Sequence, residues 1–152
     1  MNIRKATLFD VNRLIALRLD YFRFEEYLAP ELEALLSAQL RKYFLKTIPS
    51  GNFFAFFAEE DGRVASTAFL VITERPAAPS FITGKTGTVL NVLTYPEFRK
   101  RGYSTLVLRT LIAEARKEDV SMLDLFSTPE GKPLYKKLGF QETKYASMRM
   151  YL

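Results

Sequence analysis

Asp61-Gly62 stands between two long apolar segments, and no other feature constrains the fold of this chain more. Asp-Gly in a two-residue loop accepts the positive φ of a type I′ turn, whose twist matches that of paired strands. The flanking runs, Phe53 to Glu60 and Arg63 to Thr73, are therefore predicted to be antiparallel neighbours. Upstream, Asn2 to Ala6 reads as a first strand. Asp10 is placed to cap a helix running to about Phe24, with Val11, Leu14, Ile15, Leu19 and Phe22 as its apolar stripe. Pro30 suits the first turn of a second helix. Leu32, Leu35, Leu36, Leu40, Tyr43 and Phe44 form its expected buried side, and Pro49-Ser50-Gly51-Asn52 ends it.

Downstream, the two prolines in Arg75-Pro76-Ala77-Ala78-Pro79-Ser80 mark a loop between strands. Thr86 to Thr94 is the next predicted strand, stopped by Pro96. Gly102 opens a helix to about Lys117, and Leu106, Val107, Leu108, Leu111 and Ile112 give it an apolar surface wide enough to face a sheet. A strand over Val120 to Ser127, a short helix over Pro129 to Leu138 closed by Gly139, and one or two strands within Gln141 to Leu152 complete the reading. The order β-α-α-β-β-β-α-β-α-β predicts an α/β or α+β sandwich with a partly parallel sheet. A length of 152 residues fits a single domain spanning 1–152.

Composition narrows the chemistry. The chain has no Cys and no His. A Ser-His-Asp triad, an imidazole base, a thiolate nucleophile and a histidine- or thiolate-ligated metal are all excluded. Acid–base work falls to Tyr, Lys, Asp, Glu, backbone groups or water. The net charge of +5 suits a phosphorylated small molecule or a nucleic acid, and serves solubility equally well. Basic residues are scattered apart from Arg99 to Arg101, which argues against a nucleic-acid surface. The amino terminus has no apolar signal region and the apolar runs are too short to span a bilayer, so a cytoplasmic protein with no membrane partner is expected.

The informative stretch is Asn91-Val92-Leu93-Thr94-Tyr95-Pro96-Glu97-Phe98-Arg99-Lys100-Arg101-Gly102-Tyr103-Ser104. A strand ends, a proline turn follows, and a basic loop runs into a helix. First-turn N–H groups lack intrahelical partners, and with the helix dipole they form an anion site. Gly102 and the small Ser104 leave room for close approach, and Arg99, Lys100 and Arg101 bring positive charge. These features converge on a pyrophosphate. The stretch is neither a dinucleotide fingerprint nor a P-loop, because it lacks the spaced glycines of the first and the Gly-Lys-Ser/Thr ending of the second.

Here the sequence resembles the GNAT superfamily of acyl-CoA-dependent N-acetyltransferases. Val92, Pro96 and Phe98 match the lead-in to that family's Arg/Gln-x-x-Gly-x-Gly/Ala motif, and Arg99 and Gly102 match the motif itself. Ser104 stands where the family prefers Gly or Ala. Later, Leu134-Tyr135-Lys136-Lys137-Leu138-Gly139-Phe140 resembles the family's Leu-Tyr-x-x-Leu-Gly-Phe ending. The resemblance covers essentially the whole chain and implies a mixed, mostly antiparallel sheet with a splayed central strand pair and helices on both faces.

The resemblance also implies roles. Val92, Leu93 and Thr94 would pair with the pantetheine arm of acetyl-CoA. The amides of Lys100, Arg101, Gly102, Tyr103, Ser104 and Thr105 would hold its diphosphate. Tyr135 matches the general acid that protonates the departing thiolate. Thr128 stands where many members have a cofactor-contacting Asn. Transfer would be direct, through a tetrahedral intermediate, with the N–H of Val92 or Leu93 facing the oxyanion. No metal is implied. The general base stays open among Glu25, Glu26, Glu74 and a water chain. Tyr21, Phe22, Phe24 and Tyr27 crowd the side where the amine acceptor, a small molecule or peptide, is expected. Family members often pair as homodimers. The rival reading is a non-catalytic acyl-CoA-binding or sensing domain.

Overall fold

The computed structural model describes residues 1–152. Its strands are β1 (Asn2–Lys5), β2 (Phe53–Glu60), β3 (Arg63–Glu74), β4 (Lys85–Thr94) and β5 (Met122–Asp124). Its helices are α1 (Val11–Arg23), α2 (Pro30–Ser50), α3 (Tyr103–Lys117) and α4 (Lys132–Leu138). Strand order in the sheet follows the chain, every pairing is antiparallel except β4 with β5, and helices cover both faces, as expected. Asp61 at φ 51° and Gly62 at φ 74° make the type I′ turn, which sets Glu60 opposite Arg63.

The continuous apolar character of β2 follows from burial on both faces. Phe53, Ala55 and Phe57 point to a core shared with Leu14, Ile15 and Leu17 of α1 and Phe44 of α2. Phe56 and Ala58 point the other way, against Val107, Leu108 and Leu111 of α3. Phe44 reaches the sheet through ring contacts at 5.0 Å to Phe53 and 6.1 Å to Phe69.

Two details of β4 shape the site. Gly87 lets β5 approach, because a Cβ there would meet Leu123 Cδ2 at 2.6 Å and Leu70 Cδ1 at 2.7 Å. Further along, Thr67 pairs with Leu93 but Phe69 pairs with Leu90, so β4 carries an extra residue against β3. Asn91 sits in this bulge at φ 55°, a conformation that Asn tolerates better than other side chains. β5 pairs with β4 only at Thr86, Gly87 and Thr88. Beyond Thr88 the β5-facing edge of β4 has no strand partner, which is the expected splay.

Several boundaries differ from the sequence reading. The strand expected over Val120 to Ser127 is only Met122–Asp124, because β4 and β5 separate after Thr88. Gln141 to Leu152 forms no strand and is exposed throughout. Ion pairs from Glu142 to Lys132 and Lys136, and Arg149 stacked 5.7 Å over Phe126, hold that segment across α4 and the loop after β5. On α2 only Phe44 is buried, and Leu32 and Leu35 are exposed. The short helix begins at Lys132, not Pro129. No helix is long and apolar enough to cross a membrane.

Candidate functional site

The open edge of β4 leads directly into the basic loop. Within an extended strand the N–H and C=O of one residue point the same way, and successive residues alternate. Leu93 turns its carbonyl to β3, where the Ser66 hydroxyl donates to it at 3.0 Å. Thr94 turns its carbonyl away, where Arg99 Nε donates to it at 3.2 Å. Val92 and Thr94 therefore present their amides to the open side. After the turn Pro96–Phe98, Lys100 at φ 60° and Gly102 at φ 81° both adopt left-handed backbone. Such residues interleaved with ordinary ones curl consecutive N–H groups into a concavity that favours anions.

The amides of Lys100 through Thr105 make no hydrogen bond within the chain. Gly102 is the N-cap of α3, no side chain caps that end, and a Cβ on Gly102 would meet open space. Charge is less concentrated here than the sequence suggests. Arg101 turns back to Glu60 at 2.8 Å and stacks on Phe98 and Tyr103. The Tyr103 hydroxyl donates to the same carboxylate, so its ring is buried as structure and only its amide faces the concavity. Arg99 lies over Phe24 at 5.9 Å, and Lys100 is exposed without an acidic partner.

Tyr135 on α4 is half-buried against Phe140, with ring centroids 5.9 Å apart. Its hydroxyl makes no hydrogen bond. Burial, with a smaller contribution from the nearby Tyr21 phenol, pushes its pKa up to about 12. Thr128 starts the turn into α4: its Oγ1 and its carbonyl both accept from the Gly131 N–H at 3.2 Å. A Cβ on Gly131 would meet Tyr135 Cε2 at 2.9 Å, so this turn positions the tyrosine ring.

On the opposite face, side chains from α1, α2 and β4 converge at the bulge. Asn91, 3% exposed, donates through Nδ2 to the Leu17 carbonyl at 3.2 Å and accepts from Arg18 Nη1 at 3.4 Å. Burial pushes the Tyr21 and Tyr43 phenols up, and Arg18 acts on both in the opposite sense. Tyr95, just past β4, donates to Asp20 at 2.5 Å, and its phenol is pushed well above the usual range by burial and then by that carboxylate. Sequence reasoning missed Arg18, Asp20 and Tyr95. It assigned Asn91, the first residue of the informative stretch, no role. An Asn between apolar strand residues was the available signal, since strands are depleted in Asn.

Of the candidate bases, Glu74 is separated from the others. It pairs with Lys85 at the far end of β4, six residues or about 20 Å from Asn91. Glu25 and Glu26 follow α1 and are exposed, and the Glu25 carboxylate acts on the Tyr21 phenol. Phe24 and Tyr27 are also exposed, while Tyr21 and Phe22 are half-buried.

The sequence pattern of the acetyltransferase (GNAT) family matches residues 12–140. The chain belongs to that family. A crystal structure of a predicted acetyltransferase with acetyl-CoA from Clostridium acetobutylicum is 27% identical and superposes with a TM-score of 0.86, over 97% of this chain and 95% of that one. A GCN5-related N-acetyltransferase from Ralstonia eutropha JMP134 is 26% identical with a TM-score of 0.84, over 98% and 97%. An uncharacterized N-acetyltransferase, ycf52, from Pyropia yezoensis is 35% identical over 57 residues, which is 38% of this chain. That match spans only 33% of the algal protein's length. The GNAT fold thus extends over nearly the whole chain, including the strand–loop–helix unit built around Gly102.

Proposed function

We propose that this protein moves an acetyl group from acetyl-CoA to a primary amine by direct transfer. The observation that carries the reading is the unpaired edge of β4 running into the unpaired amides of Lys100 through Thr105. The residues fit the group: the backbone is open at Gly102, its donors are free, and Arg99 and Lys100 add positive charge without an acid to cancel it. Acetyl-CoA supplies an activated acyl carbonyl and a thiolate leaving group.

In this reading Val92 and Thr94 pair with the pantetheine arm as an added strand would, while Leu93 between them turns its own backbone groups to β3. The amides of Lys100, Arg101, Gly102, Tyr103, Ser104 and Thr105 hold the diphosphate. Thr128 serves by shaping the turn that places Tyr135, and its hydroxyl hydrogen stays free to donate to the cofactor. The Val92 N–H faces the carbonyl oxygen and stabilises negative charge on it. The amine nitrogen bonds to the acyl carbon to give a tetrahedral intermediate, and its collapse breaks the carbon–sulfur bond. Tyr135 keeps its proton at neutral pH and delivers it to the departing sulfur. The amine's surplus proton leaves through water or Glu25. The acceptor is a small-molecule or peptide amine, and the working compartment is the cytoplasm.

The test is thiol release from acetyl-CoA with a panel of amines, with the acetylated product identified by mass spectrometry. Turnover with at least one amine supports the reading. Acetyl-CoA binding with no turnover across the panel would leave only the acyl-CoA-binding role.

A further inference from the structure

Arg18 has no counter-ion. Arg4, Arg13, Arg23, Arg63 and Arg101 are each ion-paired with an Asp or Glu. Arg18 is half-buried in α1 and has no such partner. Its guanidinium stacks over Phe22 at 4.5 Å and makes one hydrogen bond, from Nη1 to Asn91 Oδ1 at 3.4 Å. A guanidinium has five N–H donors in a planar fork, so most of this fork is unused. Burial lowers the Arg18 pKa, and the Tyr21 and Tyr43 phenols only partly compensate. A partly dehydrated cation of this kind is relieved by an anion that fills its fork.

Its position ties it to the proposed chemistry. Asn91, its one partner, is the bulge residue next to Val92, and Tyr21 acts on both Arg18 and Tyr135. We infer that Arg18 binds the carboxylate of the acceptor, and therefore that the acceptor is a small amino acid carrying its amine and its carboxylate on one molecule. The inference rests on the acetyl-transfer reading. A carboxylate fits better than a phosphate monoester. The fork provides a single positive charge, and the neighbouring Arg23 is already spent on Asp20 and Glu33. Glu25, which also acts on Tyr21, gives the site a negative side suited to an ammonium group.

The experiment compares L-amino acids and β-alanine with their own carboxamides as acceptors, using the wild type, Arg18→Gln and Arg18→Lys. Acetyl-CoA affinity is measured by calorimetry in parallel. The wild type is expected to favour the acid over its amide in kcat/KM. In Arg18→Gln that preference falls about 10–100-fold, the range of a hydrogen bond to a charged group, and Arg18→Lys restores part of it. Equal use of acid and amide by the wild type would overturn the inference and leave acetyl transfer standing. So would equal losses for both acceptors in Arg18→Gln, which would mark Arg18 as structural. Acetyl-CoA binding without turnover of any amine would instead remove the acetyl-transfer reading, and this inference with it.

Discussion

Replacing Gly102 with Glu tests the diphosphate site most directly. Nothing lies within 4 Å of a Cβ built there, so the side chain meets no clash. The backbone is left-handed, at φ 81°, and any non-glycine residue pays about 1–2 kcal/mol of strain. The larger effect is electrostatic. A carboxylate about 6 Å from two phosphate charges, at an effective dielectric of about 40 between water and protein surface, is repelled by about 3 kcal/mol. That weakens acetyl-CoA binding about 100-fold. Gly102→Ala carries the same backbone strain without the charge, so the two variants should melt alike while only the Glu variant loses affinity. Calorimetric titration with acetyl-CoA measures the affinity and thermal unfolding measures the strain. Salt should narrow the gap between the variants, because the repulsion acts at an exposed surface. A folded Gly102→Glu protein that binds acetyl-CoA as tightly as Gly102→Ala would refute the site.

Tyr135→Phe is expected to lower kcat by about 100-fold or more, as loss of a general acid does, with little change in acetyl-CoA affinity. Because burial holds this phenol near 12, kcat should not fall between pH 8 and 10; a fall there that Tyr135→Phe abolishes would contradict the assignment. Asn91→Ala removes the Leu17 and Arg18 contacts and places Ala at positive φ, for an expected destabilisation of about 2–4 kcal/mol in urea unfolding. Asn91→Gly keeps the backbone term relaxed, so it should unfold later than Asn91→Ala. The Arg4 guanidinium, followed by the Thr7 amide, holds the Asp10 carboxyl below its usual range despite burial. Its stabilisation is therefore full above the ordinary carboxylate pKa and is lost as pH falls through the folded value. The stability gap between wild type and Asp10→Asn should accordingly close on acidification below about pH 4.

Local chemistry made much of the fold legible. Asp61-Gly62 declares the hairpin because few residue pairs accept its backbone. Pro30, Gly102 and Gly139 stand at helix ends for similar reasons. The unpaired amides of the proposed anion site were legible because they lie at a helix start, and a glycine with basic neighbours signals such a start. Side-chain partners were not. Arg99, Lys100 and Arg101 look alike in sequence, yet Arg101 is claimed by Glu60 from another strand. Gln141 to Leu152 reads in sequence as one or two strands, but it forms none, and its Glu142 pairs with Lys132 and Lys136 of α4.

The chain's own order of strands, turns and helix caps determined the layered sheet and placed the bend proposed to bind the diphosphate, because those choices depend on residues adjacent in sequence. Only the folded structure decided where β4 bulges and that Arg18, Tyr21, Tyr43 and Asn91 meet around the bulge, while Tyr135 packs on the α3 side of the sheet. The bulge side chains come from α1, α2 and β4. Their burial and pairing arise from packing across the sheet, which no local pattern encodes.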